Sequence, residues 1–515
     1  MFPMSTFAGR APRWQGSASR VRTEHGVVEG IRGGGVHFFR DIPYAAPPFG
    51  ARRFRPPVPP RPWDGVRDGT RPGPGAPQPA GQGLLGTLYG PASTGEDCLT
   101  LEVCTPDPTA GGLPVLVHLH GGGYFSGAGS APGYLGHGFA RHGVVHVGVN
   151  YRLGVDGFLY LGDGTDNLGL RDQAAALEWV RRNIAAFGGD PGRVTVYGQS
   201  GGAVSVYHHL AMPGSRGLFA RAVAQSGHPA ASVDPDEAWR ITRQVARRLR
   251  VPATPDGLRD VPLARTVAAT RAVLARFGAG LLVGDRRALL LSPFRAVHGT
   301  DSLPAPAGDV VRAGAPRSGV PLLTGTVRNE AADILTMVSG SPWLAPLVGR
   351  GLGRALRIDR PLRDAYRRGP RAIATASALT EAAWTDWGFR MPTLRYAEAR
   401  TAPTWVYEFR WQAGTRPPGT GASHGLDLPF VRDDLELVRA AGAEGRALLG
   451  PEPPQELARA MHAAWVRFAR DGDPGWPRYE PRERATMVFD GSPALVPDAA
   501  GPERRAWEGR ALHGM

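Results

Sequence analysis

Val194-Thr195-Val196-Tyr197-Gly198-Gln199-Ser200-Gly201-Gly202 decides how this chain is read. A short apolar run ends in a serine between glycines, and a helix-like run, Ala203 to Leu210, follows. Strand, sharp turn and helix is the layout of a nucleophile elbow, in which strained backbone lifts a serine hydroxyl clear of a sheet and glycines remove side chains that would collide there. The bare Gly-x-Ser-x-Gly pattern carries little weight, because with 71 glycines in 515 residues chance alone gives on the order of half a match. A second match stands at Gly421-Ala422-Ser423-His424-Gly425. It follows Arg416-Pro417-Pro418-Gly419-Thr420, a loop signature, and precedes Pro429, which interrupts a helix. Context therefore selects Ser200, not Ser423, as the candidate nucleophile.

Outward from the elbow, short apolar runs alternate with longer amphipathic ones from about residue 113. That alternation predicts a mostly parallel sheet covered by helices. The predicted strands are Pro114 to His120, Val144 to Tyr151, Val194 to Tyr197, Ala220 to Gln225, Val320 to Thr324 and Trp405 to Phe409. Leu170, Ala174, Leu177, Val180, Ile184 and Phe187 recur at three- and four-residue steps, the spacing of one helical face, and Gly188-Gly189-Asp190-Pro191 ends that helix. Residues of about 235–315 and 340–400 carry helical patterns without clear strands and read as insertions over the carboxyl ends of the sheet, where ligands bind in open α/β folds. The Pro- and Gly-rich region before residue 60 reads as an antiparallel lead-in, and residues 1–20 as a mobile tail. Residues 21–515 are then expected to form one catalytic domain.

Composition narrows the function classes. Apolar content of 42% with 12 Trp and 18 Phe supports a sizeable core and excludes global disorder. The net charge of +14 is scattered rather than clustered, all 60 basic residues are arginine, and no nucleic-acid motif accompanies them, so a nucleic-acid partner is not expected. Cys98 and Cys104 lie on a strand-like segment about 20 Å apart at strand rise, too far to bridge. Neither a disulfide framework nor a metal site follows from them. Residues 1–16 lack the apolar stretch of a secretory signal, and no run of 18 apolar residues occurs; the expectation is a cytoplasmic protein without a membrane span.

A serine hydroxyl is a weak nucleophile until a base takes its proton, and histidine is the usual base. His118, His120, His208, His209 and His228 sit on or beside predicted strands and helices and read as structural. His424, on a late Gly-rich loop, reads as the base. Where a nucleophile elbow occurs, the order along the chain is serine, acid, histidine. Thr324-Gly325-Thr326-Val327-Arg328-Asn329-Glu330 leaves an apolar strand and ends in Glu330, the candidate acid, with Asp333 as fallback. His120-Gly121-Gly122-Gly123 follows a strand with unblocked amides, suited to binding an oxyanion.

These segments together resemble the type B carboxylesterase family, which includes cholinesterase-like and bacterial para-nitrobenzyl esterases. The likeness runs from about Val21 to Phe489. Besides the elbow it includes Phe39-Arg40-Asp41-Ile42-Pro43-Tyr44-Ala45, Gly95-Glu96-Asp97-Cys98-Leu99, Asn150-Tyr151-Arg152-Leu153-Gly154, Asn167-Leu168-Gly169-Leu170-Arg171-Asp172-Gln173, Gln225-Ser226-Gly227 and His424-Gly425-Leu426-Asp427-Leu428-Pro429-Phe430. The resemblance implies an α/β-hydrolase fold and a serine esterase acting on a small-molecule ester without a cofactor. It implies Ser200, Glu330 and His424 as the catalytic residues, Gly122, Gly123 and Gly201 as oxyanion donors, and Ser226 as a supporting hydrogen-bonding residue. Gln199 stands where the family usually has Glu, which removes a reason to prefer cationic substrates. Ala76 stands where secreted members have the cysteine that pairs with the equivalent of Cys98, in keeping with a reducing compartment. An amidase, carbamate hydrolase or lipase with the same residues, and a binding protein without activity on the same fold, remain the alternatives. Tyr124, Phe125 and Trp343 are candidate pocket walls; the oligomeric state is left open.

Overall fold

The apolar runs pair into one 13-stranded sheet in the computed structural model, which describes residues 16–162, 164–314, 319–333, 345–369, 371–414 and 421–512. In chain order the strands begin with β1 (Ser17–Thr23), β2 (Gly26–Gly33), β3 (Val36–Pro43), β4 (Val66–Asp68) and β5 (Thr100–Thr105). There follow β6 (Leu113–Leu119), β7 (Val145–Val149), β8 (Gly189–Gln199) and β9 (Arg221–Gln225), then β10 (Ser232–Val233) and β11 (Ala296–Val297). Last come β12 (Leu322–Val327), β13 (Thr404–Phe409), β14 (Ala485–Phe489) and β15 (Ala494–Pro497). Across the sheet the order is β1-β2-β3-β5-β7-β6-β8-β9-β12-β13-β14-β15, with β4 beside β2. The strands from β7 to β14 run parallel. Both flanks are antiparallel, apart from β4, which pairs parallel with β2.

Side chains alternate between the faces of a strand, and here both faces are buried. Val115, Val117 and Leu119 of β6, Val194 and Val196 of β8, and Ala222 and Ala224 of β9 join one apolar cluster. Leu116, Tyr197, Val223 and Leu323 join a second on the opposite face. That two-sided burial is why these strands read as continuous apolar runs. The first face is covered by the helix Leu168–Asn183, whose Leu170, Leu177 and Val180 are buried, with Ala174 at the edge of the contact. Ile184 and Phe187 continue the face through a 3-10 turn closed by Gly188 at φ 85°, a left-handed stop that favours glycine. The second face is covered by the helix Gln455–Asp471 through Leu457, Ala458, Met461, Trp465 and Phe468.

All six predicted strands are present within a few residues. The lead-in is antiparallel as read, and it starts earlier: Ser17–Arg20 belong to β1, because pairing with β2 satisfies their backbone groups. Residues 1–15 lie outside the described residues. The short strands β14 and β15, and the parallel pair β10 and β11 inside the first insertion, escape a periodicity reading because each is too brief to show one.

The insertions are helical. Pro235–Leu249 starts at Asp234, whose side chain accepts from the Glu237 amide, with proline in the first turn; such a cap satisfies an otherwise orphaned donor. Leu263–Ala279 packs through Thr266, Ala269, Thr270 and Val273. With the turn that follows, Leu263–Val283 has a mean hydropathy of 1.4 and is the one described helical segment long and apolar enough, by length and composition, to be a candidate for crossing a membrane.

Several buried charges are held in ion pairs. Arg152, in the loop after β7, meets Asp172 on the helix Leu168–Asn183 through Nε at 2.8 Å and Nη2 at 2.6 Å, and both side chains are almost wholly shielded from solvent. Removing one partner leaves an uncompensated buried charge, which costs about 3–5 kcal/mol. Asp172→Ala is therefore expected to lower unfolding free energy by about that amount in urea titrations, whereas Glu178→Ala, which removes an exposed partner of Arg181, is expected to stay within about 1 kcal/mol. Equal effects for the two variants would contradict the assignment.

Candidate active site

Ser200 sits between β8 and the helix Gly201–Ala211 with φ 57° and ψ −124°. A positive φ is uncommon for a residue with a side chain and persists only where its surroundings hold it. Here the Ser200 amide donates to the Gln225 carbonyl at 2.9 Å, and the Ser200 carbonyl accepts from Val204 at 3.0 Å. The turn is tight because β8 lies beside β6: a Cβ at Gly202 would fall 1.9 Å from the Leu119 carbonyl oxygen, and one at Gly198 would fall 2.5 Å from the Gly202 carbonyl carbon. The two glycines of the motif are thus demanded by the approach of two backbones.

The same approach brings the end of β6 to the serine. A Cβ at Gly201 would lie 3.0 Å from the Gly123 amide nitrogen, and one at Gly121 would lie 3.3 Å from the Ser200 Cβ. Gly122 and Gly123 take φ of 104° and 59°. Among the described residues, the amides of Gly122, Gly123 and Gly201 have no acceptor, so three donors meet beside one hydroxyl. The loop is anchored from below by Tyr151, whose hydroxyl donates to the His120 carbonyl at 2.7 Å, while His120 Nδ1 engages the Gly121 carbonyl at 2.7 Å.

Glu330 and His424 meet although 94 residues separate them. The Asn329 amide donates to the Ala422 carbonyl at 3.0 Å, and Asn329 and Ser423 form a parallel β-bridge. This zipper needs Gly421, at φ 55°, where a Cβ would fall 2.0 Å from Asn329 Oδ1. Glu330, fully buried, accepts from the Val327 amide at 2.9 Å through Oε1 and from His424 Nδ1 at 2.5 Å through Oε2. Burial works to lower the His424 pKa, but the Glu330 carboxylate and its hydrogen bond outweigh it and leave the imidazole above its usual 6.5. Asp333, the fallback acid, acts on the ring only as a more distant charge. Ser423 is buried within the bridge and is no candidate nucleophile.

The other nitrogen of the ring does not meet Ser200. No hydrogen bond joins Ser200 Oγ to His424; instead Nε2 lies 3.1 Å from Nε2 of buried Gln199. The expected Ser200 to His424 contact is therefore absent from the resting arrangement, as is common before substrate binds. Below the ring, Asp427 Oδ2 accepts from Gln225 Nε2 at 3.1 Å and the Tyr407 hydroxyl at 3.0 Å. Burial, with Glu330 close by, pushes the Asp427 carboxyl up to about 6. Ser226 differs from its expected role: its hydroxyl is buried and makes no hydrogen bond among the described residues, while its amide donates to the Gly325 carbonyl at 2.8 Å.

Residues 17–494 match the family model described as the carboxylesterase family. The chain belongs to the carboxylesterase family. It is 35% identical to the para-nitrobenzyl esterase of Bacillus subtilis (strain 168), over 94% of this chain and 97% of that protein. It is 32% identical to the phenmedipham hydrolase of Pseudarthrobacter oxydans, over 94% and 97%. Among solved structures it resembles a PNB esterase with a TM-score of 0.80 at 33% identity, covering 95% of this chain and 99% of that one. The carboxylesterase of Geobacillus stearothermophilus gives a TM-score of 0.79 at 33% identity, covering 95% and 100%. The fold is that of the α/β-hydrolases, and the protein is a serine carboxylic ester hydrolase, which sets aside the reading as a binding protein without activity.

The carboxylesterase opens to solvent through a cleft that holds Ser200 and is walled by Tyr124, Val204, Leu289, Leu290 and Phe389. Of the expected walls, the Tyr124 ring stacks on Phe158 at 4.0 Å and serves packing more than reception. Phe125 packs against the core with its ring beside Gly123, and Trp343 lies outside the described residues. Phe389 was not foreseen. A π-helical turn, Asp386–Arg390, sets its ring 5.3 Å from that of His424, and such turns gather at functional sites.

If backbone contact dictates the elbow glycines, Gly202→Ala destabilises the enzyme by about 1–3 kcal/mol and lowers activity, while Gly111→Ala, in open space, leaves both unchanged. Thermal melts and ester turnover of the two variants provide the comparison; a wild-type melting temperature for Gly202→Ala would contradict it.

Proposed function

We propose that Ser200 is the nucleophile of this carboxylesterase, His424 its general base and acid, and Glu330 the residue that orients the base. The observation that carries the reading is the Glu330 to His424 hydrogen bond, 2.5 Å long and buried on the carboxylate side. A carboxylate on Nδ1 fixes the proton there, so the neutral ring keeps its lone pair on Nε2, the face turned toward β8, and the imidazolium that forms later is stabilised. His424 takes the Ser200 proton, the alkoxide attacks the ester carbonyl, and the tetrahedral oxyanion is held by the Gly122, Gly123 and Gly201 amides. The alcohol leaves with the proton from His424. Water, deprotonated by the same nitrogen, then releases the acid. Three preset amide donors in a partly enclosed cleft are worth several kcal/mol, since removing one such donor costs about 3–4 kcal/mol.

The apolar wall of Leu289, Leu290, Val204 and Phe389 favours neutral small-molecule esters, and the carboxamide of Gln199 in place of a carboxylate gives cations no special partner. The relatives named above are esterases and a hydrolase, which favours esters over amides. The residues from about 21 onward are proposed to act as one catalytic domain. Two buried free thiols, Cys98 and Cys104, with Ala76 and Cys98 in one apolar cluster, support a reducing, cytoplasmic setting.

Two measurements test the assignment. A fluorophosphonate followed by peptide mass mapping is expected to modify Ser200 alone, and Ser200→Ala to abolish both labelling and turnover; an adduct elsewhere overturns the nucleophile. Because the base works only when neutral and its pKa is raised, kcat/KM is expected to fall tenfold per pH unit on the acid side of a midpoint above 6.5, the ordinary histidine value. Glu330→Gln is expected to lower kcat on the order of 10⁴-fold; an unchanged profile and rate in that variant would dismiss Glu330.

A further inference from the structure

We infer that Gln199 is a positioning residue for the base: in the resting enzyme its amide occupies the same Nε2 lone pair of His424 that must receive the Ser200 proton. The inference rests on the proposed roles of Ser200, His424 and Glu330 and adds a member that none of them requires.

The contact has one sense. Glu330 holds a proton on Nδ1, so neutral His424 offers only a lone pair at Nε2, and a carboxamide meets it attractively only through N–H. Gln199 Nε2 is the atom placed there, at 3.1 Å. Gln199 is buried at the last position of β8, one residue before the elbow, so its backbone is fixed by the same ladder that fixes Ser200. A ring nitrogen has one lone pair in the ring plane. Ser200 and Gln199 therefore compete for it, which accounts for the missing Ser200 to His424 bond.

The charged groups that face this imidazole are carboxylates: Glu330 and Asp333 from the segment after β12, and Asp427 from its own loop. From the described part of the insertion comes the Phe389 ring. Every one of those carboxylates favours the imidazolium. Gln199 opposes them, because an N–H donor at Nε2 stabilises the neutral ring and repels the protonated one. A glutamate at 199, the usual family residue, would instead accept from Nε2–H and hold the proton on the ring. The amide thus favours the unprotonated base, at the cost of a hydrogen bond that Ser200 has to displace before each acylation.

The test uses full-length protein with Gln199→Glu and Gln199→Met, the second a similar volume without the donor. Proton NMR follows the downfield Nδ1–H resonance of His424, assigned by its loss in His424→Ala, as pH is varied. The midpoint is expected to rise by a few tenths of a unit in Gln199→Met and by about one unit or more in Gln199→Glu. Fluorophosphonate phosphonylation of Ser200 above the midpoint is expected to be about 2- to 10-fold faster in Gln199→Met, and at neutral pH about tenfold slower in Gln199→Glu. Midpoints within 0.2 unit (roughly a quarter of a kcal/mol) of wild type in both variants, with only rate or stability lowered, overturn the inference and leave the catalytic residues standing. Loss of Ser200 labelling in the wild type, or a downfield resonance that survives His424→Ala, overturns the catalytic assignment itself.

Discussion

The parallel pairing of β6 with β8 is the constraint on which the site depends. Their carboxyl ends come so close that Gly202 admits no side-chain atom against the Leu119 carbonyl, and this contact forces the chain to turn at Ser200 with a positive φ. It also delivers the glycine run after β6 to the serine, so nucleophile and oxyanion donors arise from one backbone approach. Reaction geometry is set by main chain, which cannot relax as side chains do, and the conformational strain at Ser200, about 1–3 kcal/mol, is held by the strand-side bond to Gln225 and the helix-side bond from Val204.

The segments that surround this approach carry no chemistry of their own and hold it rigid. Arg40 reaches across to Glu102 at 2.8 Å and to the Ser130 carbonyl at 3.3 Å. The Tyr44 hydroxyl donates to the Asn150 carbonyl at 2.7 Å, and Asn150 Oδ1 accepts from the Gly129 amide at 2.8 Å. Arg53 pairs with Asp156 and Arg152 with Asp172. The motifs that mark the family outside the site are thus largely buried ion pairs and side chain to backbone bonds below the glycine loop. They also absorb part of the basic excess: arginines that look like a scattered positive surface in the sequence are in several cases internal ties.

How far the sequence could be read follows from the range of each interaction. Ser200 and its glycines were legible because strand, turn and helix are local, and the central strands because burial on both faces leaves long apolar runs. Glu330 and His424 were legible from order along the chain, yet nothing local foretold that Asn329 and Ser423 would bridge to bring them together. Phe389 was invisible because its place depends on a π-helical turn in an insertion, and Asp427 because its burial beside Tyr407 and Gln225 comes from three distant segments. Ser226 shows the converse: its position near the serine was readable, but its hydroxyl orientation was not. Gln199 was noticed as a lost charge, whereas its consequence is a hydrogen bond that only the fold supplies.

His424 therefore stands between two neighbours of opposite effect, Glu330 on Nδ1 and Gln199 on Nε2, and the chemistry requires the second to yield to Ser200. The most direct test is a crystal structure of the protein inactivated by a fluorophosphonate. The account predicts phosphorus bonded to Ser200 Oγ, the phosphoryl oxygen within about 2.7–3.1 Å of the Gly122, Gly123 and Gly201 amides, and His424 still bonded to Glu330 but no longer to Gln199. An adduct on another residue, or a phosphoryl oxygen turned away from those three amides, would contradict it.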